Sequence, residues 1–322
     1  MPHRIMVLGG SGFIGTVLTK LLRERGHDVS VFDLQPPRDS VRYIAGDVRD
    51  RAALVAAVKD HDVLYNLAAA HADNVRPLSL YQETNVDGGR NACIAATEAG
   101  IDRIVFTSSV AVYGDSPVEL TEDSPHNYIN EYGRTKSLAE VEYQKWAAEN
   151  PARSLTIVRP SVVFGPRNRG NVFNLLQQIA SGRFVMVGAG TNRKSMAYVD
   201  NVAGFLEFAL RFGPGTTLTN YADKPDFDMN ELVSLVRSSL GKNPKPGLRI
   251  SPAVAAALGA AADTLSAIAR RPLPVSSVRI QKFQANTQVA ANRVRELGYT
   301  PVVPLREGLQ RTIASEFVAK AA

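Results

Sequence analysis

Residues 4–15 read RIMVLGGSGFIG. Arg4 to Leu8 has the length and apolar content of a buried strand, and helical spacing runs from Gly12 to Arg25 and closes at Gly26. Glycines stand at 9, 12 and 15. In a loop that follows a strand and opens a helix, each has a task. Gly9 allows the tight turn, Gly12 lets backbone approach a phosphate, and Gly15 lets the helix pack closely. The helix N-terminus adds N–H donors and positive potential. The stretch therefore predicts a pyrophosphate-binding turn and the first strand–helix unit of a parallel sheet.

The same alternation continues outward from it. Strands are expected at Val29–Asp33, Arg42–Ala45, Val63–Leu67, Arg103–Thr107 and Leu155–Arg159, with helices at Arg51–Val58, Tyr81–Ala99 and Thr135–Glu149. That pitch implies an α/β fold with a Rossmann-type, doubly wound parallel sheet covered on both faces. Past Pro160 the texture changes. Helices at Asn171–Ser181 and Val202–Arg211 and a strand at Phe184–Val187 are legible, but residues 213–322 carry more proline and irregular segments. The expected division is a nucleotide-binding domain over 1–160 and a smaller α/β, mainly substrate-binding domain over 161–322, some of which returns to the first.

Composition narrows the function. With 45% hydrophobic and 21% charged residues, the 322-residue chain is neither disordered nor a bundle of membrane spans. Its net charge of +6 suits an anionic ligand. The Lys and Arg are dispersed, with no run of five like charges, which argues against nucleic acid as a partner. Cys93 is the single cysteine, so no intrachain disulfide or Cys-based metal site is possible, and a small buried hydrophobe is expected there; no metal is expected. Residues 253–268, AVAAALGAAADTLSAI, are interrupted by Asp263 and fall short of the roughly 20 apolar residues a spanning helix needs. They are read as a packed helix of the second domain, with a helix on a membrane surface as the alternative. Because the chain opens directly into a strand, no signal peptide is expected and the location is read as cytoplasmic.

Several side chains carry chemistry. Asp33 ends the second strand, where a carboxylate accepts hydrogen bonds from the adenosine ribose hydroxyls and repels a 2′-phosphate, favouring NAD over NADP. Arg38, in the next loop, is read as a solvated surface residue. Asp47 follows the third strand and either meets the adenine edge or caps the helix near Arg51. Tyr132 and Lys136 are four apart and share a helical face. An ammonium beside a phenol, together with a positive nicotinamide ring, draws the tyrosine down from about 10 and makes it a usable acid and base. Ser109, just past the fifth strand, is placed to hydrogen-bond the substrate oxygen that becomes a ketone.

With these residues in view, the chain resembles the extended short-chain dehydrogenases, the NAD-dependent epimerases and dehydratases that act on nucleotide-sugars. The resemblance spans nearly the whole chain. It rests on Gly9 to Gly15, Asp33, Asp47, Leu67-Ala68-Ala69, Asn85-Val86, Ser108-Ser109, Val112-Tyr113-Gly114, Tyr132 to Lys136, Arg159-Pro160 and Tyr198-Val199-Asp200. It implies a Ser109/Tyr132/Lys136 catalytic set. It also implies that backbone of Phe13 and Ile14 meets the pyrophosphate, that Val48, Leu67, Ala68, Ala69 and Ser108 line the cofactor, and that Pro160 and Ser161 flank the nicotinamide. On the substrate side it implies Ser109, Val110 and Asn171, with Arg193 or Lys194 meeting phosphate. The departures are informative. Val110 and Ala111 stand where dehydratases carry an acid pair, and Ala111 where decarboxylating members carry Glu, so both readings fall. Asn66 replaces a frequent histidine, and Val162 replaces an asparagine that several epimerases use on the substrate phosphate.

The expected activity is a nucleotide-sugar 4-epimerase with bound NAD, acting through a 4-keto intermediate. The alternative is a reductase or dehydrogenase of the same fold that exchanges its NAD or NADP in each cycle. A non-catalytic dinucleotide sensor would be expected to lack Tyr132 or Lys136. A homodimer is expected through Tyr81–Ala99 and Thr135–Glu149, with Tyr143 and Trp146 either at that interface or in the chain's own core.

Overall fold

The computed structural model describes residues 2–72, 75–269, 277 and 285–318. The first half runs β1 (Arg4–Leu8), α1 (Phe13–Glu24), β2 (Asp28–Asp33), β3 (Arg42–Ala45), α2 (Arg51–Val58), β4 (Val63–Asn66), α3 (Ser79–Tyr81), a π-helical turn (Gln82–Asp87), α4 (Gly88–Glu98), β5 (Arg103–Thr107), a 3-10 turn (Val110–Val112), α5 (Glu131–Ala148) and β6 (Ser154–Pro160). The second half adds β7 (Val162–Phe164), α6 (Asn171–Ala180), β8 (Met186–Val187), β9 (Arg193–Tyr198), α7 (Val199–Phe208), β10 (Gly215–Tyr221), β11 (Asp223–Asp228), α8 (Met229–Ser239), β12 (Arg249–Ile250), α9 (Pro252–Ala269), α10 (Asn292–Glu296) and α11 (Leu305–Ile313).

The main sheet has the order β10-β6-β5-β4-β1-β2-β3, and all its pairs are parallel. Strand order reverses between β1 and β4, which opens the crevice at the carboxyl ends where such sheets bind ligands. One face buries Leu64, Ile104 and Phe106 under Tyr143 and Trp146 of α5. The other buries Val7, Tyr65 and Val105 under Leu18 of α1 and Phe205 of α7. A smaller lobe holds the sheet β11-β9-β7 and the pair β12-β8 around Leu176, Met186, Leu232 and Leu309.

Three differences from the sequence reading have local causes. The long helix expected over Tyr81–Ala99 starts at Ser79 and contains the π-helical turn, inside which Asn85 donates to Ala70 O and Thr135 Oγ1. α5 begins at Glu131 rather than Thr135, because Asn130 caps it by accepting from Gly133 N at 2.8 Å. Tyr132 is thereby a residue of the first helical turn. β10 was not expected as a strand, yet it closes the main sheet beside β6.

The helix expected over 253–268 forms, but not as a packed one. Among its described side chains Ala255 is buried, while Val254 and Leu258 are 48% and 55% exposed. With so few large side chains, α9 has little to bury against the lobe. Tyr143 and Trp146, in contrast, are core residues of their own chain, so the interface role considered for them is excluded.

Candidate active site

The glycine loop joins β1 to α1 at the switch point. Gly9 has φ +73°, and a Cβ there would lie 2.6 Å from Ala68 N, so the loop and the segment just past β4 approach backbone to backbone. At Gly15 a Cβ would lie 2.5 Å from Gly9 O. Gly12 is the N-cap of α1, with no side-chain cap and no acid in the first turn. The first N–H groups of the helix, at Phe13, Ile14 and Gly15, therefore lack a side-chain cap, the condition under which a helix start can receive an anion.

Asp33 sits beside this loop. One carboxylate oxygen accepts from Ser11 N and the other from Gln35 N, both at 3.0 Å. Arg38 is exposed in the next loop. Asp47 does not cap α2: Asp50 does, accepting from Ala53 N. Asp47 instead accepts from the Arg49 backbone and guanidinium, and that guanidinium holds its carboxyl below the usual range. Val48 is buried and would touch any Cβ added at Gly88. Leu67, Ala68 and Ala69 follow β4, and Asn66 Oδ1 accepts from Ala68 N at 2.9 Å, with its Nδ2 donating to Tyr143 Oη. Pro160 ends β6, and Ser161 N donates to Tyr221 O. Among the described residues, Thr107 Oγ1 at the end of β5 and Ser161 Oγ just past β6 are buried hydroxyls with no hydrogen-bond partner. Two orphaned hydroxyls at the carboxyl edge, together with the glycine cradle and the uncapped helix, fit an elongated polar cofactor laid across the strand ends.

The catalytic candidates meet at the same edge. Ser109 is extended at φ −164° and caps the 3-10 turn, its Oγ accepting from Ala111 N at 3.1 Å. Tyr132 is half-buried, and its phenol neighbours the Ser109 side chain. Lys136 is 2% exposed. Its Nζ donates to Thr107 O at 2.8 Å, 4.8 Å from the Phe106 ring centroid and 6.0 Å from that of Tyr132. Burial lowers the Lys136 ammonium to about 7, against the pull of Glu140. Burial also raises the Tyr132 phenol, with the neighbouring Ser109 hydroxyl opposing. The downward pull expected on Tyr132 is thus outweighed by desolvation in the protein alone.

Ser108 is committed elsewhere. Its Oγ donates to Glu140 Oε1 at 2.5 Å. Glu140 also accepts from Arg159 Nε at 2.8 Å and Nη2 at 2.5 Å, both partners being buried. Arg159 further donates to Tyr113 Oη and lies 2.7 Å from His126 Nε2. This buried set braces α5 against β5 and β6 directly behind Ser109 and Lys136. The sequence reading missed Glu140, although it lies four residues past Lys136 on the same helical face.

The substrate-side candidates lie past β5 and over the smaller lobe. Val110 packs on an apolar cluster with Leu120, Ala222 and Val289. Asn171 is the exposed first residue of α6. Arg193 Nη1 donates to Asp226 O, and Lys194 Nζ donates to Ala285 O at 3.1 Å, with its ammonium lowered by burial against the pull of Asp115. Ser195, Lys224, Asp226 and Gln288, which the sequence reading did not single out, form a linked polar cluster beside them.

A family model described as the NAD dependent epimerase/dehydratase family matches residues 5–219. N-acetyl-alpha-D-glucosaminyl-diphospho-ditrans,octacis-undecaprenol 4-epimerase of Escherichia coli O157:H7 is 44% identical over 99% of this chain and 96% of its own. The 2-alkyl-3-oxoalkanoate reductase of Stenotrophomonas maltophilia (strain K279a) is 31% identical over 97% and 99%. Among solved structures, MoeE5 in complex with UDP-glucuronic acid and NAD is similar with a TM-score of 0.77 and 26% identity, each chain covered to 99%.

Proposed function

Because the chain belongs to the NAD-dependent epimerase/dehydratase family, we propose that it is a 4-epimerase of a sugar carried on a diphosphate, with Ser109, Tyr132 and Lys136 as catalytic residues. The observation that carries this reading is the convergence of Ser109, Tyr132 and Lys136 at the carboxyl edge of the sheet, with the buried Lys136 Nζ held on Thr107 O and 6.0 Å from the Tyr132 ring centroid. Bound NAD supplies the hydride acceptor and then the hydride donor for C4. Residues of the glycine loop hold the pyrophosphate through backbone N–H groups, Asp33 takes the adenosine ribose, and Thr107 and Ser161 offer their free hydroxyls to the nicotinamide half.

Tyr132 Oη accepts the proton of the C4 hydroxyl as the substrate ketone forms and returns it when the alcohol is restored. Ser109 Oγ donates to the same oxygen and fixes its position. Lys136, held on Thr107 O, places positive charge under the phenol, which counters the cost of burying a phenolate. Val110 and Ala111 bring no carboxylate to this site, so it has no agent for the proton transfers of dehydration. The S. maltophilia reductase supports a second reading, one-way ketone reduction with exchangeable cofactor.

A diphosphate is common to nucleotide-sugars and to the lipid-linked sugar for which the E. coli relative is named. We assign residues 1–160 mainly to the cofactor and 161–322 mainly to the substrate, with Asn171, Arg193 and Lys194 nearest the diphosphate. We propose a homodimer through the outer face of α5, a reading that the exposure of Leu138 and Val141 supports.

The test is to incubate the purified protein with UDP-N-acetylglucosamine and, in detergent, with polyprenyl-diphospho-N-acetylglucosamine, following C4 configuration by NMR. Equilibration of the two C4 epimers without added cofactor, and release of stoichiometric NAD(H) on denaturation, are expected. Net substrate reduction that consumes added NADPH overturns the epimerase in favour of the reductase.

A further inference from the structure

Although the Lys and Arg are dispersed, their excess over Asp and Glu lies in one stretch. Residues 237–282 carry eight Lys or Arg against a single acid, Asp263, whereas the other 276 residues carry 29 against 30. Among the described members, Lys242, Lys245 and Arg249 are exposed. Asp263 accepts from Ser277 N. The same stretch contains α9, whose Val254 and Leu258 face solvent, and Leu248, which is 66% exposed just before β12. Exposed branched side chains next to unopposed cations are the composition of a surface that lies in the headgroup region of a bilayer.

We propose that α9 and the basic segment leading into it, with Lys242, Lys245 and Arg249, form a docking surface for an anionic phospholipid bilayer, an inference that rests on the reading of the substrate as a lipid-linked sugar diphosphate. A helix of 18 residues is about 27 Å long. Among the described residues no helix is long and apolar enough to cross a membrane, so α9 lies on the bilayer rather than through it.

Its roots lie on the substrate side of the lobe. β12 pairs with β8, and Pro252 abuts Gly188. The chain returns at Asn286 and Thr287, which bond to Arg193 beside the candidate phosphate contacts. A helix held on the bilayer from these two points keeps the smaller lobe at the surface where a lipid-linked diphosphate is presented.

A second copy of the chain is a poor occupant. A two-fold contact through this face would bring the exposed Lys242, Lys245 and Arg249 of one copy against those of the other. Nucleic acid satisfies the cations but has no use for Val254, Leu258 and Leu248.

The test is flotation of the purified full-length protein with vesicles of phosphatidylcholine alone and of phosphatidylcholine with phosphatidylglycerol, at low and high salt. We expect partition into the anionic vesicles roughly tenfold or more above the neutral ones, reduced by salt. Val254→Glu with Leu258→Glu is expected to lower that partition by about tenfold while thermal unfolding and bound NAD(H) stay unchanged. Lys242→Glu with Lys245→Glu is expected to lower it and to weaken its salt dependence.

No flotation, equal flotation on both vesicles, or wild-type partition by the Val254/Leu258 variant overturns the proposal. So does dissociation of a larger assembly by that variant, which would make α9 a contact between copies. Because the vesicles contain no sugar substrate, flotation accompanied by epimerisation of nucleotide-sugars alone rejects the lipid-linked substrate and leaves the docking surface standing.

Discussion

Replacing Lys136 by methionine exposes the cost of burying its charge. Lys136 is 2% exposed and makes one hydrogen bond, to Thr107 O, beside the Phe106 ring. Burial lowers its ammonium from 10.5 to about 7 in the folded chain, and the unfolded chain restores the ordinary value. Between those two values the unfolded state holds a proton that the folded state has released. Stability of the cofactor-free protein therefore rises with pH across the window from about 7 to 10.5. The full gap corresponds to about 5 kcal/mol, an upper figure because a buried ammonium recruits water and relaxes its surroundings. Lys136→Met cannot titrate, so the difference between wild type and variant isolates this contribution from every other group. The assay is urea unfolding followed by fluorescence of Trp146, the single tryptophan, which is buried under α5. Wild type is expected to be the less stable protein near pH 7 and to gain on the variant steadily as pH rises. A difference that stays flat across the window refutes the reasoning, because it means that the folded Lys136 keeps an ordinary ammonium.

Tyr132→Phe removes the proposed proton acceptor and keeps the ring. Turnover should fall by roughly 10²- to 10⁴-fold with the bound NAD(H) content of the purified protein unchanged, measured by NMR of C4 and by cofactor release. Gly15→Ala places a Cβ 2.5 Å from Gly9 O, a backbone atom that cannot rotate away. It should cost about 1–3 kcal/mol in thermal unfolding and weaken dinucleotide binding in a fluorescence titration. Glu140→Ala leaves the buried Arg159 guanidinium without its carboxylate, which should cost about 3–5 kcal/mol in urea unfolding; Glu140→Gln, which keeps an acceptor for Ser108, should cost less.

The cofactor half of the site was legible because its signals are local. A glycine at 9, 12 and 15 is read from the turn it permits, an acid at 33 from the strand it ends, and Tyr132 with Lys136 from one helical turn. The strands β1 to β6 were legible for the same reason: each is a short apolar run bounded by glycine, proline or polar residues. α5 was placed four residues late because Asn130 was not read as its cap, although Asn before Glu131 is a local signal.

The rest depends on contacts between distant residues. β10 reads as GTTLTNY, with threonines that suit an edge, and only its pairing with β6 makes it the seventh strand of the main sheet. Glu140 becomes the brace of Ser108 only when β5, β6 and α5 bring residues 108, 140 and 159 together in a dry interior, where an unpaired charge is too costly to persist. Tyr143 and Trp146 were equally compatible with an interface and with the core; their burial against Phe106 and neighbouring core residues decided for the core. α9 was readable as a helix from its alanines, but periodicity cannot say what covers a helix. The chain by itself determined the nucleotide fold and pointed to the candidate acid, base and cradle. Their dielectric surroundings, and with them the protonation of Lys136 and the exposure of Val254 and Leu258, were decided by tertiary structure, because burial is a property of what packs around a residue rather than of its neighbours in sequence.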